Sequence, residues 1–209
     1  MTQHPDDEKL QQEPILQTER LIIRPLRMDD VEDVYGLYSD WAVSKTLSRI
    51  TFPFTRQAAQ QFVADAQAAL AHEPVSSYIL GMFERDSSSF VGIVALRIPA
   101  LDATLPDDER ATWDGVGILG YSVVRSRWNQ GFATEGAQRV MRFAFDELGL
   151  TRLQASPLRE NPASRRVLER LGFVVSEAGI LEEPVYGGPA RVADRYVRIR
   201  EAACDNDPR

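Results

Sequence analysis

Two short runs hold most of the chemistry this sequence can perform. In the first, Arg125-Ser126-Arg127-Trp128-Asn129-Gln130-Gly131-Phe132-Ala133-Thr134, two arginines and a glycine stand between the apolar run Tyr121-Ser122-Val123-Val124 and a helix-period stretch ending near Leu148. The first N–H groups of a helix have no intrahelical acceptor, and the helix dipole places positive potential there. A basic, glycine-bearing turn that opens a helix is therefore suited to phosphate or pyrophosphate, although it serves as often as a plain turn. In the second run, Asn161-Pro162-Ala163-Ser164 leads into a helical stretch closed by Gly172-Phe173. Asn161 and Ser164 are residue types that cap helices, and alone they predict capping. Val167, Leu168 and Leu171 read as a buried face.

Other chemistries are disfavoured. Gly115-Val116-Gly117-Ile118-Leu119-Gly120 matches G-x-G-x-x-G, but that fingerprint must follow a strand and open a helix. Here it precedes a strand, so its glycines read as turn and close-approach positions. No G-K-[ST] triphosphate loop is present. The one cysteine, Cys204, excludes an intrachain disulfide and a cysteine metal cluster. His4 and His72 have no partners in the sequence pattern, so no metal is expected. A net charge of −7 argues against nonspecific nucleic-acid binding and suits a cationic substrate. The N-terminal stretch is polar and no run reaches membrane-spanning length, which predicts a cytoplasmic protein with no membrane partner.

The elements that would position these runs follow from periodicity. Residues 1–15 and 201–209 are expected to be tails around one domain at 16–200. Residues 21–23 predict a strand, ended by Pro25. Asp29 or Asp30 would cap a helix with Val31, Val34, Leu37 and Tyr38 inward. Thr55 would cap a second helix burying Ala58, Phe62, Ala66 and Ala69, ending near Pro74. Residues 78–83 and 90–96 form a hairpin pattern, and 99–114 an acidic loop. A strand at 118–124 precedes the basic turn. The next helix carries the stripe Ala137, Val140, Met141, Ala144, Phe145 and Leu148, stopped by Gly149. Strands follow at 153–156, 173–175 and 192–199, with a short helix at 164–171.

Taken together, the two runs resemble the GNAT (GCN5-related N-acetyltransferase) superfamily, in particular its ribosomal-protein N-terminal acetyltransferase branch. The similarity covers residues 16–199. It rests on Thr18-Glu19-Arg20-Leu21-Ile22-Ile23-Arg24-Pro25, Leu119-Gly120-Tyr121-Ser122-Val123, Trp128 through Glu135, Asn161 through Phe173, and Ala193-Asp194-Arg195-Tyr196-Val197. The resemblance implies an α/β (α+β) fold: a mixed, twisted sheet of about seven strands, splayed in the middle and flanked by about four helices. It implies acetyl-CoA between the splayed strands. Tyr121, Ser122 and Val123 would pair with the pantetheine arm. The N–H groups of Asn129, Gln130, Gly131, Phe132, Ala133 and Thr134, with Arg125, Arg127 and Trp128 around them, would hold the pyrophosphate. Asn161 would bond the cofactor, and Ser164 would help protonate the departing thiolate; on residue chemistry alone Tyr121 and Ser164 are the candidate acids. Relatives often carry a Glu, a candidate base, where this chain has Ile118.

The implied activity is acetyl transfer to a primary amine, on a protein N-terminus or a small molecule, by direct attack on the thioester. The alternative is a CoA-binding protein with weak or lost catalysis. The amine must lose a proton before attack, and Asp114, Glu135 and Glu84 are candidate bases. The acceptor site would draw on 41–54, 99–114 and 181–191, with Trp41, Phe52, Phe54, Trp113 and Tyr186, while Asp107-Asp108-Glu109 could attract a cation. A monomer or homodimer is expected.

Overall fold

The computed structural model describes residues 15–182 and 189–201. Most of both expected tails, with His4 and Cys204, and residues 183–188, with Tyr186, lie outside the described residues. The sheet starts one strand earlier than expected. β1 (Leu16–Gln17) pairs antiparallel with β2 (Leu21–Pro25), which carries the predicted apolar run. The hairpin follows as β3 (Ser77–Glu84) and β4 (Phe90–Arg97), then β5 (Val116–Val123), β6 (Arg152–Ala155), β7 (Val174–Glu182) and β8 (Arg191–Ile199). These make one eight-stranded sheet in the order β1-β2-β3-β4-β5-β6-β8-β7. The two-residue β1 accounts for the strand beyond the expected seven.

Every neighbour in the sheet is antiparallel except β5 and β6. That parallel pair has a short ladder, Val116 with Arg152, Gly117 with Leu153 and Ile118 with Gln154. β5 runs on to Val123 with β4 on one edge, whereas β6 stops at Ala155. Pro157 follows and has no N–H to extend a ladder. No strand therefore pairs with the edge of β5 from 119 to 123 that faces β6, and the sheet opens there.

Helices cover both faces. α1 (Val31–Ser39) and α3 (Arg56–Ala71) pack Val34, Leu37, Tyr38, Ala59, Val63 and Ala66 around Ile93 on one side. The single-turn α2 (Trp41–Ser44) lies between them in sequence, and α4 (Asp107–Ala111) interrupts the acidic loop. On the other side α5 (Phe132–Arg142) and α6 (Pro162–Arg170) cover the core of Leu21, Ile23, Met82, Val94, Leu96, Leu119 and Leu153.

Several local expectations shift. Thr55 caps α3 through Ala58 N–H, but the buried stripe is Ala59, Val63 and Ala66, one residue on from the predicted Ala58 and Phe62. Phe62 sits at the flank, and Ala69 is only half-buried. Asp30 does not cap α1; its buried carboxylate takes Arg24 at 2.8 and 2.9 Å and the Arg27 N–H at 2.7 Å. The α5 stripe gains Phe132 and Phe143, while Met141 and Leu148 are half-buried. A π turn, Phe143–Glu147, places Phe143, Ala144 and Phe145 all inside. β5 begins two residues earlier than predicted. Gly115 is the turn, with φ +66°, and Gly117 lies where a Cβ would press on Leu150, Leu153 and Leu96. Gly120 lies within β5 with open space beside it.

Candidate active site

The basic run folds as a turn from the end of β5 into α5. A 3-10 turn, Arg125–Arg127, is followed by Asn129 at φ +59° and Gly131 at φ +85°. Asn tolerates the left-handed region and glycine adopts it freely, so the chain can reverse tightly and present successive N–H groups to one side. Among the described residues, no backbone N–H from Asn129 to Thr134 has a protein acceptor; the next, Glu135, bonds Gly131 O.

The turn is pinned from behind. Trp128 Nε1 donates to Val123 O at 2.8 Å, tying the turn to the strand it leaves. Arg20 bonds Gln130 O at 3.0 Å and the Glu135 carboxylate at 2.7 Å, and lies over the Phe132 ring at 4.4 Å. Glu135 also accepts from the Thr18 hydroxyl and the Arg20 N–H. Burial alone would raise its pKa, but these bonds and the Arg20 guanidinium outweigh it and hold the carboxyl below its ordinary value. A carboxylate so stabilised is a structural strut and a poor base. Arg20 lies 115 residues from Glu135, a separation across which no local pattern reveals the strut.

In front of the turn lies a cleft of about 690 Å³. Its walls include Tyr121, Ser122, Val123, Arg125, Arg127, Trp128, Asn129, Gly131, Phe132, Ala133, Thr134, Asn161 and Ser164. Of the expected cofactor residues only Gln130 is absent from the lining; its amide braces the turn through Ser126 O at 2.9 Å. Arg127 faces the cleft but is paired to Glu84 at 2.7 Å, so less of its charge is free than the sequence suggested.

A second cleft, about 490 Å³, opens on the other side of the gap in the sheet. The two share Thr46, Leu47, Tyr121, Ser122, Asn161 and Ser164. At this junction the Tyr121 hydroxyl lies 2.9 Å from Ser164 Oγ and donates to Ser164 O at 3.0 Å. Burial pushes the Tyr121 pKa up to about 12, against the lowering effect of its Ser164 bond. Tyr38, which sequence analysis treated only as core, pairs with Ser122 Oγ at 3.2 Å, and burial raises it also to about 12. Both phenols are protonated at neutral pH and keep an O–H to donate in hydrogen bonds. Asn161 caps α6, accepting from the Ser164 N–H at 3.1 Å, with its Nδ2 directed to Thr46 O at 3.5 Å. Ser164 is thus the residue capped and does not itself cap.

None of the carboxylates Asp114, Glu135 and Glu84 lines either cleft. Glu84 is occupied by Arg127 and Ser87. Glu109 and Glu182 do line the second cleft, with Trp113 and Ile118. Of the other aromatics expected there, Phe54 is buried under α1, and Trp41 packs at a tilt against Phe52, ring centres 4.8 Å apart, with both exposed. Among the described residues no cluster of His, Cys, Asp and Glu has the makings of a metal site, and no helix is long and apolar enough to cross a membrane.

A splayed parallel pair, a turn of free N–H groups and a helix on each side form one constellation, and residues 20–174 match the acetyltransferase (GNAT) domain family. The chain belongs to the GNAT acetyltransferase family. It is 28% identical over 173 residues to the Bacillus subtilis protein named uncharacterized N-acetyltransferase YoaA, covering 83% of this chain and 89% of that one. It is 30% identical over 161 residues to the Aspergillus fumigatus FsC-acetyl coenzyme A-N(2)-transacetylase, covering 77% and 65%. In fold it is similar to RimL, a ribosomal L7/L12 α-N-protein acetyltransferase solved with coenzyme A, with TM-score 0.72, 17% identity and coverage of 89% and 98%. As a GNAT acetyltransferase the chain acts in acetyl-CoA-dependent acetyl transfer. Two features of its own fit that cosubstrate: a row of unpartnered N–H groups suited to a pyrophosphate, and an unpaired strand edge suited to an amide-bearing arm.

Proposed function

We propose that this protein transfers the acetyl group of acetyl-CoA to a primary amine, with the cosubstrate in the larger cleft and the amine entering through the smaller. The observation that carries the reading is the meeting of the two clefts at Tyr121, Ser122 and Ser164. Acetyl-CoA supplies an activated thioester. The N–H groups of Asn129 to Thr134 and Arg125 bind its pyrophosphate, and the free edge of β5 at Tyr121, Ser122 and Val123 aligns its amide arm. Asn161 holds α6 at the junction and offers Nδ2 to the arm. Tyr121, kept protonated by burial, turns its hydroxyl from Ser164 O to Ser164 Oγ and refills the proton that Ser164 passes to the sulfur as it leaves.

On the acceptor side, Glu109 and Glu182 attract the ammonium form and, directly or through water, accept its proton. Trp113 and Phe62 supply apolar walls. Binding both reactants at fixed positions contributes much of the rate without a strong base. The sequence resemblance and the likeness to RimL support the ribosomal-protein acetyltransferase branch, in which the acceptor is a protein N-terminus; a small-molecule amine suits the same chemistry.

Ile118 favours a second reading, a CoA-binding protein without turnover. Ile118 lines the acceptor cleft where relatives often place Glu. Thiol release from acetyl-CoA over a panel of peptides and small amines decides between them. Amine-dependent release supports transfer. Saturable acetyl-CoA binding with no release across the panel supports the second reading, and no binding overturns both.

A further inference from the structure

The cofactor cleft carries more cationic side chains than a pyrophosphate needs. Lys45, Arg125, Arg127, Arg166 and Arg170 line it, in a chain whose formal net charge is −7. Arg127 is neutralised by Glu84, and the carboxylate of the cleft, Glu160, is held by Arg191. Among the described residues the other cations of the lining have no acidic partner. Like charges gathered around one cleft repel one another and weaken the fold slightly, so their grouping points to anionic groups that join them.

Position separates this set into two groups. Arg125 belongs to the turn proposed above to take the pyrophosphate. Arg166 and Arg170 stand on α6 at i and i+4, so they leave the same helix face on a different wall of the cleft. Both are exposed, free to reorient onto a ligand. Two guanidinium groups side by side match a phosphate monoester, which carries about −1.5 to −2 charge near neutral pH and presents three acceptor oxygens.

We infer that Arg166 and Arg170 form a second anion subsite in this cleft, which takes the 3′-phosphate of coenzyme A and makes the protein select coenzyme A over its 3′-dephospho form. The inference rests on the cofactor reading above and adds to it a specificity that the turn alone does not provide. A pyrophosphate is present in both compounds, so the turn cannot tell them apart.

The test is calorimetric titration of coenzyme A and 3′-dephospho-coenzyme A into the wild-type protein and into the double variant Arg166→Gln/Arg170→Gln. The wild type is expected to bind coenzyme A about tenfold more tightly, a preference that shrinks as salt is raised. The double variant is expected to bind both compounds with the affinity the wild type shows for the dephospho form. Equal binding of the two compounds by the wild type would overturn the inference and leave the cofactor reading standing. A preference that survives in the double variant would overturn the assignment to these arginines. Absence of saturable binding by either compound would remove the cofactor reading and this inference together. The wild-type comparison requires no variant to fold.

Discussion

Tyr121→Phe deletes one oxygen at the junction of the clefts and two contacts, to Ser164 Oγ at 2.9 Å and to Ser164 O at 3.0 Å. A purely structural role and a proton-donating role predict different outcomes. As structure, the loss leaves Ser164 one partner short, which costs about 1 kcal/mol and a few degrees of Tm. As a proton donor, Tyr121 supplies an acid contribution of roughly 10²- to 10⁴-fold in kcat. A thiol near pKa ~8.5 leaves more readily than an alcohol, so the low end of that range, about 10²-fold, applies here. The defect should also depend on pH. Tyr121 is held near 12 and stays protonated through any practical assay. Above about pH 8.5 the departing thiolate is stable without a proton, so the defect of Tyr121→Phe should narrow there. Ser164→Ala should show the same loss and the same pH profile, and the double variant should be no worse than either, because the two hydroxyls act as one unit. Thiol release from saturating acetyl-CoA, measured from pH 6.5 to 9.5, reads all three. A kcat within twofold of wild type for either variant, at a lowered Tm, would refute proton donation and leave the pair a structural contact.

Three further outcomes follow. Tyr38 and Tyr121 are both raised to about 12 from 10, so they ionise more readily in the unfolded chain; their stabilisation is complete below pH 10 and is lost as pH rises toward 12, on the order of 2 kcal/mol each. Urea midpoints should be insensitive to these groups below pH 10 and fall above it, with Tyr38→Phe reducing the slope. Glu135 is depressed below 4.5, so its contribution is present above that pH and fades as pH falls through its folded value; Glu135→Gln should lower the urea midpoint at pH 7, and the difference should narrow as the pH is taken down through that value. Glu109→Gln combined with Glu182→Gln should raise KM for a cationic amine several-fold while leaving the Kd of acetyl-CoA unchanged, and an unchanged KM would remove both from the acceptor site.

The features that were readable in the sequence are those whose signal is local. Gly131, the flanking Asn129 and the stripe of α5 lie within one window, and so did the turn that opens the helix. Asn161 was readable as a cap because a cap reaches only three residues ahead, to the Ser164 N–H. What escaped depends on distant pairings. Thr18, Arg20 and Glu135 form the strut behind the turn, and Glu84 neutralises Arg127, across separations no periodicity reveals. Glu109 was noticed only as part of an acidic run; that it alone of Asp107, Asp108 and Glu109 reaches the cleft depends on the orientation of α4. The one-residue error in α3 has a physical source: Phe62 drew the apolar face toward itself, while the core prefers the small Ala59 and Ala66 close against the sheet and leaves the ring at the flank. The π turn at Phe143–Glu147 has no signature in an ideal helical period.

The central claim is that the N–H groups from Asn129 to Thr134 grip the cosubstrate. Amide NMR of the wild-type protein during titration with acetyl-CoA tests it at those atoms. Saturable changes should concentrate at residues 129–134, with downfield proton shifts as the N–H groups take up phosphate oxygens, and extend to Tyr121, Ser122 and Val123. Saturable changes confined to other parts of the molecule, with 129–134 unmoved, would contradict it.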